Sequence, residues 1–172
     1  MRKPRVLKHG ASYHVISRIN RKEMILKSDE VKEMFLEVIR RAKQKYRFNI
    51  KNFCIMGNHY HLIIKPLGDE SLSKIMQWIL STFALKFNRM FGLTGHVWND
   101  RFISKIIYSY LQYLTTFVYI ANNPVRAKIT EWPGDYQYNG VAFIQKGILD
   151  ILERPPNDFL RHAWGRITGK YR

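Results

Sequence analysis

Two apolar runs joined by Gly57-Asn58 constrain this chain more than any other feature. Residues 50–56 and 59–65 are each of strand length, Gly-Asn between them is a tight-turn signal, and residues 66–70 read as a loop. The two runs therefore pair as a hairpin. The second opens on His59-Tyr60-His61. Strand side chains alternate faces, so both imidazoles point one way, about 6.5–7 Å apart at the backbone, and Tyr60 points the other. Two neutral imidazoles at that separation can converge on one divalent metal. Taken alone, the pair reads first as two polar residues on a half-exposed strand face.

The flanking segments fix the architecture around this hairpin. Tyr13, Val15, Ser17 and Ile19 alternate with His14, Ile16 and Arg18, which predicts a first strand, and residues 20–22 a turn. Ser28-Asp29 caps a helix to about residue 46, with Val31, Met34, Phe35, Val38, Ile39 and Ala42 as its apolar stripe. Ser71 opens a second helix to about residue 91, where residues 92–95 end it. Residues 101–108 read as a fourth strand. Ser109-Tyr110-Leu111-Gln112 is a capping box for a third helix that stops near Asn123, because Pro124 biases its predecessor away from helical angles. The order β-α-β-β-α-β predicts an α+β fold of the ferredoxin-like, split βαβ kind. Its antiparallel sheet carries two helices on one face, and the third helix can cover part of the other. The chain after Trp132-Pro133-Gly134 reads as irregular, with one helix near residues 158–164. No linker divides it, so residues 1–172 form one domain with an extension from about residue 137.

Charge narrows the partners. The chain has 29 Lys plus Arg against 13 Asp plus Glu, a formal net charge of +16. That excess favours a polyanion, nucleic acid or an anionic membrane, although a basic ribosomal-type protein would look the same. No apolar run is long enough to span a membrane. The basic start lacks the apolar centre of a signal peptide. Cys54 is the single cysteine and reads as a small core residue. Together these features predict a cytosolic (cytoplasmic) protein.

The third helix carries a second constellation. Tyr119 and Asn123 are neighbours on one face at i and i+4, beside a stripe of Leu111, Leu114, Val118 and Ala121. An ionised phenol can attack a phosphodiester and hold the strand as a phosphotyrosine. A metal held by His59, His61 and the amide oxygen of Asn123 would polarise and orient that phosphate. Asn before Pro can equally be a helix end and nothing more. The phenol ionises near pH 10 in water, so the site must lower its pKa or take its proton during attack.

These residues carry a family resemblance. The chain resembles the single-tyrosine HUH transposases, close to the REP-associated tyrosine transposases, over about residues 10–136. His59-Tyr60-His61 matches the His–hydrophobic–His motif, Tyr13-His14-Val15 through Arg18 the first strand, and Gly95 to Phe102 the motif before the fourth strand. Tyr119-Ile120 with Asn123-Pro124-Val125-Arg126-Ala127 matches the nucleophile helix. The resemblance implies that Tyr119 is the nucleophile, forming a 5′-phosphotyrosine and freeing a 3′-OH. It implies His59, His61 and Asn123 as ligands of Mg²⁺ or Mn²⁺, and single-stranded or hairpin DNA as substrate. Relatives act as dimers paired through a sheet edge or as monomers. The chain departs from the pattern at Gly57, where Pro is common, at Ala121 and Asn122, and at Lys128, where Gly often follows Arg-Ala.

Arg101, Lys105 and Arg126 flank the expected site and could neutralise phosphates. Trp98 and Phe102 could stack bases of a single strand or pack in the core. A non-catalytic nucleic-acid-binding protein on the same fold, including a domesticated transposase, is the alternative. The RNP1 pattern of the RNA-binding relatives of this fold is absent.

Overall fold

The computed structural model describes residues 6–168, so part of the basic start and the last four residues lie outside it. Four strands form one sheet: β1 (Ser12–Arg18), β2 (Phe48–Ile55), β3 (His59–Pro66) and β4 (Ile103–Ile107), in the order β2-β3-β1-β4. All neighbours are antiparallel. With α1 (Asp29–Lys45) and α2 (Leu72–Phe91) packed together on one face, this is the expected α+β arrangement.

Local chemistry sets the helix starts. Ser28 accepts from the Val31 N–H at 3.3 Å, and Ser71 accepts from Lys74 at 3.4 Å, each satisfying a donor that the helix leaves open. Gly92 closes α2 in the left-handed conformation, with φ of 63°. Alternation along the strands then sorts the side chains. Tyr13 and Val15 of β1 and Tyr60 and Leu62 of β3 turn toward the helices and are buried. The Tyr60 ring lies 4.8 Å from Phe35 and 5.6 Å from Trp98 between centroids. Cys54 is fully buried and free.

The opposite face is half covered. α3 (Tyr110–Ala121) lies over β2 and β3, α5 (Gly140–Lys146) over β2, and α6 (Asn157–Ile167) braces α3 from outside. Tyr113 of α3 stacks on Phe159 of α6 at 4.3 Å. The region expected to be irregular thus contains α5, a seven-residue helix that opens on Gly140. Its start is capped by Asn139, whose Oδ1 accepts from Val141 at 3.0 Å. Four of its residues from 141 to 144 are buried, so packing holds it, not propensity. Glu153 donates its N–H to Ile50 and Ile55 donates to Tyr138, so the chain after α4 (Asn123–Arg126) also pairs along the outer side of β2.

Two buried asparagines fasten α3 by its carbonyls. Asn52 of β2 donates to Phe117 O at 3.0 Å, and Asn139 donates to Ala121 O at 2.7 Å. Both are fully buried. Gly140 permits this approach, since a Cβ there would meet Asn52 Oδ1 at 2.2 Å. Replacing Asn139 by Ala removes a cap and strands two buried backbone groups. Stability should fall by about 1–3 kcal/mol, read as a lower denaturant midpoint at unchanged slope.

Candidate functional site

The site lies on the half-covered face, where the polar sides of β1 and β3 meet. Antiparallel pairing sets Arg18 opposite His59 and Ile16 opposite His61, and His14 sits one pleat further along the same face. The His59 and His61 rings are 5.1 Å apart between centroids. His14 lies against His61, its Nε2 2.9 Å from His61 Nδ1, with the rings stacked at 5.2 Å. His59 Nδ1 is 2.8 Å from Asn58 Oδ1. Each ring of the pair therefore has its Nδ1 engaged, which leaves Nε2 to face outward.

Tyr119 comes down on this floor from α3. Its ring centroid is 5.6 Å from His61 and 6.1 Å from His14, both edge-on. It remains 41% exposed, so a substrate can reach it. The Arg126 guanidinium carbon sits 4.9 Å from the centre of the Tyr119 ring, a cation–π contact.

Asn123 is close by, but not as the end of the third helix. α3 ends at Ala121, and Asn123 opens the separate four-residue α4. Pro124 occupies the first turn of α4, where its missing N–H removes no bond. The Asn123 Nδ2 donates to Tyr119 O at 3.0 Å. Its side chain also hydrogen-bonds the His59 ring, which partly offsets the larger lowering of that pKa by burial and Arg18. Beyond α4, Lys128 takes a left-handed φ of 57°. That is the conformation glycine adopts without strain, which accounts physically for Gly at this position in the family pattern.

Burial and neighbouring cations keep the histidines neutral. His61 is pushed down to about 3, by burial first and then by His14, His59, Arg18 and Arg126. His14 is pushed down to about 4 by burial and by Lys105, its partner across β4. His59 is held below its ordinary value by burial and by Arg18, with Asn123 acting the other way. Neutral imidazoles keep a lone pair for a cation. Among the described residues no group of three or more His, Cys, Asp and Glu side chains could hold a metal ion.

The same shifts predict acid lability of the metal-free protein. The unfolded chain takes up these protons near pH 6.5 and the folded chain only near pH 3–4. Stability is unaffected above about pH 7. It should fall by about 1.4 kcal/mol per pH unit for each fully shifted histidine as pH drops below 6.5. Chemical denaturation at pH 7 and pH 5 checks this, and His61→Phe should flatten the slope.

The other expected contacts divide. Lys105 lies on the site face. Arg101 sits exposed in the loop before β4, where it lines a cavity of about 780 Å³ with Trp98 and Phe102. Trp98 and Phe102 belong to the opposite, helix-covered side. The Trp98 indole N–H donates to Leu80 O at 2.9 Å, its ring packs on Phe83 at 5.3 Å, and Phe102 is buried. Both rings therefore pack against the helix side of the molecule, and both also line that cavity. His14 and Arg18 are functional candidates that sequence reasoning passed over. His14 and Arg18 share the period of one face of β1, and the β1–β3 register brings that face beside His59 and His61.

A family model described as "Transposase IS200 like" matches residues 8–123. No curated protein matches in sequence. The fold is similar to the solved structure of a REP-associated tyrosine transposase bound to a REP hairpin. The TM-score is 0.72 at 21% identity, covering 91% of this chain and 92% of that one. It is also similar to a putative transposase from Deinococcus radiodurans R1. Here the TM-score is 0.50 at 18% identity, covering 71% of this chain and 97% of that one. Among the described residues no helix is long and apolar enough to cross a membrane.

Proposed function

The chain belongs to the IS200-like transposase family, and on that premise we propose that it nicks and rejoins single-stranded DNA beside a hairpin, with Tyr119 as nucleophile. The observation that carries this reading is the convergence of an exposed tyrosine on two neutral imidazoles, with a guanidinium against the tyrosine ring. The Tyr119 oxygen forms a new bond to phosphorus. The bond from phosphorus to the 3′-oxygen breaks, leaving a free 3′-OH and a 5′-phosphotyrosine. The phenolic proton leaves to solvent or a nearby base, and attack by a 3′-OH reverses the step and rejoins DNA.

His59, His61 and the Asn123 amide oxygen would hold a divalent cation, Mg²⁺ or Mn²⁺. When bound, it neutralises charge on the scissile phosphate and orients it. Arg126 counters charge developing on the Tyr119 oxygen. Arg18 and Lys105 stand on the uncovered half of the sheet and attract flanking phosphates. A flexible single strand can bend to bring its phosphate to the face shared by Tyr119 and the histidines. The hairpin-bound relative supports a hairpin beside the cleaved strand.

The test uses 5′- and 3′-labelled single-stranded hairpin DNA with Mg²⁺ or Mn²⁺. The expected product is a denaturation-resistant adduct that carries the label of the DNA 3′ to the nick and disappears with chelator. Binding without any adduct across an oligonucleotide panel would leave a non-catalytic DNA-binding protein instead.

A further inference from the structure

The structure assigns His14 as a positioning residue that holds His61 in the ring orientation and tautomer able to bind a cation through Nε2. This rests on the proposed cation site, but its geometry is independent of the cleavage chemistry. The His14 Nε2 lies 2.9 Å from His61 Nδ1, and the two rings stack at 5.2 Å with a tilt of 28°. One proton occupies that contact. If His61 is to offer the Nε2 lone pair outward, the proton resides on His61 Nδ1 and is donated to His14 Nε2. His14 then carries its own proton on Nδ1. The reverse arrangement, with His14 as donor, puts a proton on His61 Nε2 and blocks that atom.

His59 is held in the same way by a different residue. Its Nδ1 meets Asn58 Oδ1 at 2.8 Å. An amide oxygen only accepts, so it fixes His59 in the Nδ1–H tautomer. The two rings are thus served by equivalent partners, one from the turn before β3 and one from the neighbouring strand. His14 is not itself the third ligand in this arrangement, because its Nε2 is spent on His61. Orienting partners of this kind typically change metal affinity by about 10–100-fold.

The experiment compares His14→Phe and His14→Gln with the wild-type protein. Phe keeps an aromatic ring for the stack and removes the acceptor, whereas the Gln side-chain oxygen reaches about as far as the imidazole Nε2. Two readouts are used: Mn²⁺ affinity by calorimetry, and the His61 tautomer from long-range ¹H–¹⁵N spectra of the metal-free protein. The wild type is expected to show His61 protonated on Nδ1. His14→Phe should shift His61 toward the Nε2–H form and weaken Mn²⁺ binding about tenfold or more, and His14→Gln should restore both. An unchanged His61 tautomer in His14→Phe overturns the assignment. So does equal loss of Mn²⁺ affinity in both variants with the tautomer intact, which would make His14 a ligand. The tautomer readout needs neither metal nor DNA, so failure of the cleavage reading would leave this result standing, and the converse also holds.

Discussion

Tyr119→Phe is expected to abolish the covalent protein–DNA adduct and to lower strand cleavage by at least about 10⁴-fold. The substitution removes one oxygen from a ring that is 41% exposed. It leaves the contacts of that ring with His14, His61 and Arg126 in place. Stability should therefore change by less than about 0.5 kcal/mol, and DNA affinity should stay near that of the wild type. Loss of chemistry with retained binding separates a nucleophile from a packing residue. Nearby tyrosines serve as controls. Tyr110 bonds His162 at 2.9 Å and Tyr113 stacks on Phe159 at 4.3 Å, so both are engaged on the α6 side of α3. An adduct that persists in Tyr119→Phe, or one lost only in Tyr113→Phe, would refute the assignment.

His61→Ala carries the second large effect. Metal-dependent cleavage should drop by about 10²–10³-fold, with a parallel loss of Mn²⁺ binding. His61 is only 4% exposed and touches His14, His59 and Tyr119, so its removal also loosens the floor under the tyrosine. Folding must be scored beside activity. The variant loses a buried group that resists protonation, so its acid sensitivity should decrease even as activity falls. A variant that folds, binds Mn²⁺ as tightly as wild type and still fails to cleave would place His61 outside the cation site. His59→Ala should follow the same pattern. Asn123→Ala should be milder, because a neutral amide contributes less than an imidazole and water can replace it.

Much of this arrangement was legible in the sequence wherever the cause was local. Ser28, Ser71 and Ser109 each cap a helix with an oxygen that accepts from the N–H three residues on, so the three longest helices announce their own starts. Gly57-Asn58 announces the β2–β3 hairpin, and the period of 2 puts His59 and His61 on one face. What depended on pairing between distant segments was not legible. His14 becomes a neighbour of His61 only through the β1–β3 register, 47 residues apart in the chain. Asn52 and Asn139 resemble turn formers in sequence, yet both are buried and bonded to α3. α5 lacked a signal because a glycine opens it and burial stabilises it. The third helix stops near Asn123 as expected, but Asn123 itself opens a new helix. Pro124 disfavours helical angles before it, but a break at Asn122 lets a new helix begin in its own first turn.

The fastening of α3 carries a consequence for how the protein comes into being. Every group assigned a chemical role lies by residue 126, and the family match ends at residue 123. Asn52, which bonds Phe117, precedes the tyrosine helix, but two further partners that hold it down, Asn139 on Ala121 and Phe159 on Tyr113, come later. During synthesis, the nascent chain holds the residues proposed for the chemistry before it holds all the contacts that fasten their helix. The fastening of α3 is thus complete only when the last quarter of the polypeptide has emerged and docked. The segment with the least recognisable sequence is the one that completes the tool.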